Sequence, residues 1–144
     1  MESDNAALPR WEHFPHVADV GVRGVGKSRE EAFIQAAVAL TAVVTDPAGV
    51  APRQAVDLVA EGADDVLLVA WLDAVIYEMT TRRMLFSRFE ITFVAGGARG
   101  RAWGEPVDVA RHQPVVEVKA ATFAELAVCR QPDGLWLAQC VVDV

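Results

Sequence analysis

The 144-residue chain is most easily bounded by what it does not contain. It has no Gly-x-Ser-x-Gly, no His-Glu-x-x-His and no Cys-x-x-Cys, so the motif-bearing serine hydrolases, zinc peptidases and dithiol oxidoreductases are set aside. Cysteine is scarce: Cys129 and Cys140 are the only two. They fall on opposite arms of an expected hairpin, and in a domain of this size with no secretory leader they read as reduced thiols, which points to the cytoplasm. Positive charge is also short, with 13 Lys and Arg against 20 Asp and Glu and a net charge of −7. A protein that grips a phosphate backbone unaided usually carries a basic surplus, so a protein partner or a cation is favoured over direct, tight nucleic-acid binding. Local basic groups remain at Arg82-Arg83 with Arg88, and at Arg99 and Arg101. No apolar run approaches the ~18 residues of a membrane helix.

What is present describes one folded domain. Hydrophobic residues make up 53% and charged residues 23%, a balance that excludes disorder. Met1 to Arg10 is acidic and lacks an apolar leader core, so residues 1–12 read as a loose tail before a domain spanning 13–144. His16 to Val22 reads as a strand with Ala18, Val20 and Val22 on one face and Val17, Asp19 and Gly21 on the other. Ser28 with Glu31 forms a capping box, and Phe33, Ala36, Ala37, Leu40, Val43 and Val44 recur at helical spacing until Asp46-Pro47 stops the helix. Val56 to Ala60 alternates as a strand. Asp64-Asp65 signals the start of a second helix bearing Leu68, Trp71, Leu72, Val75, Ile76 and Met79. Strands follow at Phe89–Phe93, 102–107, 115–121 and, around the turn Gln131-Pro132-Asp133-Gly134, at 126–130 and 135–142. The expected fold is α+β: a single domain with two main helices packed on largely antiparallel sheet.

Two stretches could carry chemistry. Gly21 to Ser28 formally completes Gly-x-x-x-x-Gly-Lys-Ser, the phosphate-loop pattern. A true phosphate loop follows a buried parallel strand in a large nucleotide-binding fold, whereas here the alternation runs on through Gly21, so a strand, a turn and a capped helix is the better reading. The other stretch is His16 to Asp19. His13, His16 and Asp19 are spaced by threes and could make an acid–base pair or metal ligands. Asp19, a carboxylate inside an apolar strand, calls for a compensating partner. Asp143 follows the apolar pair Val141-Val142 and precedes Val144 with its terminal carboxylate. Carboxylates brought together repel unless a cation lies between them, and hard oxygen donors suit Ca²⁺ or Mg²⁺.

These segments together resemble the archease family. The resemblance is carried by His16-Val17-Ala18-Asp19-Val20-Gly21, Gly26-Lys27-Ser28 with Glu31-Ala32-Phe33, Leu85-Phe86-Ser87, Arg111-His112 with Val118-Lys119-Ala120 and Thr122, and Val141-Val142-Asp143-Val144. It runs from about His13 to Val144 in order and spacing. One departure is Val17, where the family has threonine, which removes a hydroxyl able to make a supporting hydrogen bond.

The resemblance implies a cytoplasmic accessory protein of the RtcB-type RNA ligase, which joins tRNA halves using GTP and a divalent metal. In that role the protein promotes guanylylation and repeated turnover of the ligase without being an enzyme itself, meets RNA only indirectly and has no membrane partner. It further implies that Asp19, Asp143 and Val144 hold a divalent cation, Ca²⁺ first with Mg²⁺ or Mn²⁺ as alternatives. His16, His112 and Lys119 would complete a functional surface. A chaperone-like interaction module and a small metal-dependent hydrolase using His16 and Asp19 are the competing readings.

Overall fold

The computed structural model describes residues 8–144. Strand β1 (Arg10–His16) and strand β2 (Asp19–Gly26) form an antiparallel hairpin in which His16 pairs with Asp19. Because that ladder is continuous to its last rung, the chain must reverse within Val17-Ala18, and Ala18 takes the left-handed conformation at φ 62°. This corrects the expected strand through His16 to Val22: Asp19 begins a strand and does not sit in its middle. The ladder also brings residues 10–12 into the sheet, ahead of the expected boundary at residue 13. Residues 1–7 of the expected tail lie outside the described residues.

Helix α1 (Arg29–Val44) starts where the capping signal places it. The Ser28 hydroxyl accepts from the Glu31 amide at 3.1 Å, and the Glu31 carboxylate accepts from the Lys27 amide at 2.7 Å. Alanines 32, 36, 37 and 39 are fully buried, which lets the helix lie directly on β2. A Cβ on Gly24 would sit 2.0 Å from the Ala32 carbonyl oxygen and 2.3 Å from the Ala36 nitrogen. Glycine at 24 is therefore a packing requirement of the helix–strand contact. β2 is antiparallel to both of its neighbours, β1 and the last strand of the chain (Trp136–Asp143), so the phosphate-loop pattern here is a strand, a turn and a capped helix.

A 3₁₀ turn (Pro47–Gly49), strand β3 (Gln54–Glu61) and helix α2 (Leu67–Arg82) follow. Asp64-Asp65 does not cap α2. Val66 occupies the cap position without a side-chain hydrogen bond, and Asp64 faces Arg29 at 3.8 Å. Strand β4 (Met84–Val94) and strand β5 (Gly97–Pro106) pair through a turn at Gly96, with an irregular register at Ser87, whose hydroxyl donates to the Val50 carbonyl at 2.8 Å. The one-turn helix α3 (Val109–His112) is not foreshadowed by periodicity. Strand β6 (Ala120–Ala121) is all that pairs of the expected strand 115–121, because Val115 bonds instead to the Val44 carbonyl at the end of α1. Strand β7 (Ala127–Arg130) and strand β8 (Trp136–Asp143) close the chain as the expected hairpin.

The strands make two antiparallel sheets. One has the order β1-β2-β8-β6 with β7 also on β8, and the other has the order β3-β5-β4. Both helices touch strands of both sheets, so a single core of aliphatic and aromatic side chains fills the space between them. Trp71 of α2, fully buried, donates its indole N–H to the Phe33 carbonyl of α1 at 3.1 Å and pins the helices together. α1 is covered almost all round. Thr41 is fully buried and donates to the Phe86 carbonyl at 2.6 Å.

Candidate functional site

The first sheet ends where β2 begins and β8 stops. Val20 pairs with Val142, so the next rung sets Asp19 beside Asp143. The two side chains share a face, the one on which Arg23 of β2 hydrogen-bonds Gln139 of β8 at 2.8 Å. His16, paired with Asp19 across the β1–β2 turn, extends this edge on the same face. On the other side of β8, the Lys119 amide donates to the Asp143 carbonyl at 2.8 Å and Ala120 pairs with Asp143. Of the residues singled out from the sequence, His16, Asp19, Lys119, Asp143 and Val144 thus meet at one end of one sheet.

The two carboxylates are half-buried, and among the described residues neither accepts a hydrogen bond or an ion pair. Like charges directly opposite on neighbouring strands are destabilising, so the pair is suited to a cation. The described residues contain no group of three or more His, Cys, Asp and Glu side chains placed to hold a metal. Two aspartates with main-chain oxygen fit a hard divalent ion that takes its remaining ligands from water or from a bound phosphate, the way Mg²⁺ is commonly held. They do not amount to a closed cage of six to eight oxygens.

His112 lies elsewhere. Its side chain is fully buried, Nε2–H donates to Glu105 at 3.0 Å, and Nδ1 accepts from the Asp108 amide at 2.9 Å. Glu105 also receives Arg111 at 2.6 Å and the Ala51 amide at 2.7 Å. The Arg111 guanidinium first, then the Ala51 amide and His112, hold the Glu105 carboxyl at about 2, against the opposing effect of its burial. Thr45 donates to the His112 carbonyl at 2.6 Å, so this network ties α3 to the end of α1 and to β5. The expectation that His112 completes an exposed surface is corrected: its hydrogen bonds are spent inside the fold. His13 is likewise structural, with Nε2–H donating to the Ala39 carbonyl of α1 at 2.8 Å.

Asp73 of α2 was not foreseen. Its carboxylate accepts the Ala121 amide of β6 at 2.8 Å. A lone acid in the apolar run Leu67–Ile76 was the available signal.

The family model for the archease protein family (MTH1598/TM1083) matches residues 11–144. The chain belongs to the archease family. Among curated archeases, that of Pyrococcus furiosus is 36% identical over 142 residues, covering 95% of this chain and all of its own. That of Methanopyrus kandleri is 39% identical over 139 residues, covering 93% of this chain and 99% of its own. The solution structure of Methanobacterium thermoautotrophicum protein 1598 superposes with a TM-score of 0.74 at 31% identity, covering 93% of this chain and 98% of that one. The crystal structure of a Thermotoga maritima archease, called a possible chaperone, shares the fold with a TM-score of 0.54 at 15% identity, covering 92% and 96%. The α+β archease fold expected from the sequence is the one observed.

Proposed function

We propose that this archease is a cation-dependent accessory protein of an RtcB-type RNA ligase, promoting guanylylation and repeated turnover of that enzyme without catalysing a reaction of its own. The observation that supports this reading is the placement of Asp19 and Asp143 one residue beyond the Val20–Val142 pair, at the open end of the sheet, without a basic partner among the described residues. A divalent ion bound there would neutralise phosphate charge. Asp19 and Asp143 would hold it through their side chains and Val144 through its carboxyl group, with Ca²⁺, Mg²⁺ and Mn²⁺ all compatible with hard oxygen donors. Lys119 is exposed and adjoins Asp143 through the backbone, which suits its ammonium to a phosphate oxygen brought by the partner. His16 is exposed beside Asp19 and would serve as a contact at the same edge.

The acidic balance of the chain favours docking on a protein whose RNA channel is basic, and it disfavours direct grip on RNA. The cytoplasm, where such a ligase works, is the compartment this role implies. No helix among the described residues is long and apolar enough to cross a membrane.

The test is formation of the covalent GMP–ligase adduct at limiting divalent ion. The wild-type chain is expected to accelerate it, and Asp19→Ala and Asp143→Ala not to. Equal acceleration by folded variants would overturn the role of the carboxylates.

A further inference from the structure

We infer that Asp73 is a positioning residue for the Asp19–Asp143 end of the sheet, acting through the backbone of β6; the functional side of this inference rests on the cation reading above. β6 pairs over only Ala120 and Ala121, and on its far side no further strand among the described residues adds a ladder. A pairing that short is not self-sustaining. What secures it from the far side is the Asp73 carboxylate, which reaches from the second turn of α2 to the Ala121 amide at 2.8 Å. The next residue is fastened to β8: the Thr122 amide and hydroxyl donate to the Val141 carbonyl at 2.9 and 2.8 Å. The preceding tie, from the Lys119 amide to the Asp143 carbonyl, is the one that places Lys119 and the end of β8 relative to each other.

α2 is among the most firmly packed elements, with Leu68, Trp71, Leu72 and Val75 fully buried. Asp73 is its solvent-side acid and carries that rigidity out to β6. An ionised acceptor makes a stronger hydrogen bond to a backbone N–H than a neutral one, and an amide at this position keeps an acceptor oxygen. Asp73→Asn should therefore retain the brace and Asp73→Ala should lose it.

The experiment compares the full chain with Asp73→Asn and Asp73→Ala by amide hydrogen exchange and by Ca²⁺ titration followed at the Asp19 and Asp143 amides. Asp73→Ala is expected to speed exchange at Ala121 and Lys119 about tenfold or more while amides of β2 and α1 are unchanged, and to weaken Ca²⁺ binding about threefold or more. Asp73→Asn is expected to stay within about threefold of the wild type in exchange and near it in affinity. Unchanged exchange at Ala121 and Lys119 in Asp73→Ala, or equal damage in both variants, would overturn the inference. Unchanged Ca²⁺ affinity in an Asp73→Ala protein whose β6 has loosened would overturn its functional half. A wild-type protein that shows no Ca²⁺ response at all would speak against the cation reading instead, and the exchange data would still decide whether Asp73 braces β6.

Discussion

Gly24→Ala separates the two meanings of the glycine-rich stretch Gly21 to Ser28. The added methyl would sit 2.0 Å from the Ala32 carbonyl oxygen and 2.3 Å from the Ala36 nitrogen, both backbone atoms of α1. An ordinary carbon–oxygen contact is about 3.4 Å, so helix and strand must part by roughly 1 Å or the strand must twist. A gap of that size forfeits a quarter to a half of the dispersion attraction for the atoms lining it. Here those atoms include the fully buried Val22, Ala32, Ala36 and Ala37. Overpacking against atoms that can move costs about 1–3 kcal/mol, and a backbone obstacle places this substitution at the upper end, about 3 kcal/mol. In urea that is a fall in midpoint of about 1–2 M at unchanged slope, or about 6–12 °C in Tm. Lys27→Ala, at an exposed position, should stay within about 0.5 kcal/mol, and neither variant should alter a nucleotide response. A Gly24→Ala protein as stable as its parent would refute the packing argument, and nucleotide-dependent stabilisation lost in Lys27→Ala would reinstate the phosphate loop.

Three further outcomes are expected. Ala18 holds φ 62°, which glycine adopts freely, so Ala18→Gly should raise stability by about 0.5–1 kcal/mol in a urea melt; a loss would mean the turn is not strained. Glu105, held at about 2, is depressed below the ordinary carboxylate value of 4.5, so its contribution is complete above pH 4.5 and is lost as the pH falls through about 2. The urea midpoint should show an acid-side decline that Glu105→Gln flattens while lowering stability at neutral pH. Burial first, then the charge of Asp73, pushes the Cys140 thiol up to about 12, whereas Cys129 is exposed, so a thiol reagent at pH 8 should label the folded chain once, at Cys129. Labelling at both positions without denaturant would contradict the packing of β8.

Local signals were legible in the sequence. The Ser28 cap depends on a neighbour three residues away and forms where expected, while the Glu31 return bond goes to the Lys27 amide, one residue before the cap. Alternation correctly put Asp19 and Gly21 on one face because β2 is regular from its first residue. The turn at Val17-Ala18 was missed because neither residue is a turn former; the pairing of β1 with β2 imposes the reversal. His112 looked like a surface group because its partner Glu105 and its hydroxyl neighbour Thr45 are brought to it only by tertiary packing. Residues 115–119 read as strand on composition but run between α1 and β8, held by single backbone bonds at Val115 and Lys119. The convergence of Asp19 with Asp143 was suspected from two isolated acids, but its geometry required the β2–β8 register.

The central claim is most directly tested by multiple-turnover RNA ligation with a cognate RtcB-type ligase at controlled divalent-ion concentration. The wild-type chain should convert a single round of joining into repeated turnover, while Asp19→Ala and Asp143→Ala, shown to be folded by their urea melts, should leave the ligase at its unassisted rate. Absence of stimulation by the wild-type chain, or undiminished stimulation by both variants, would contradict it.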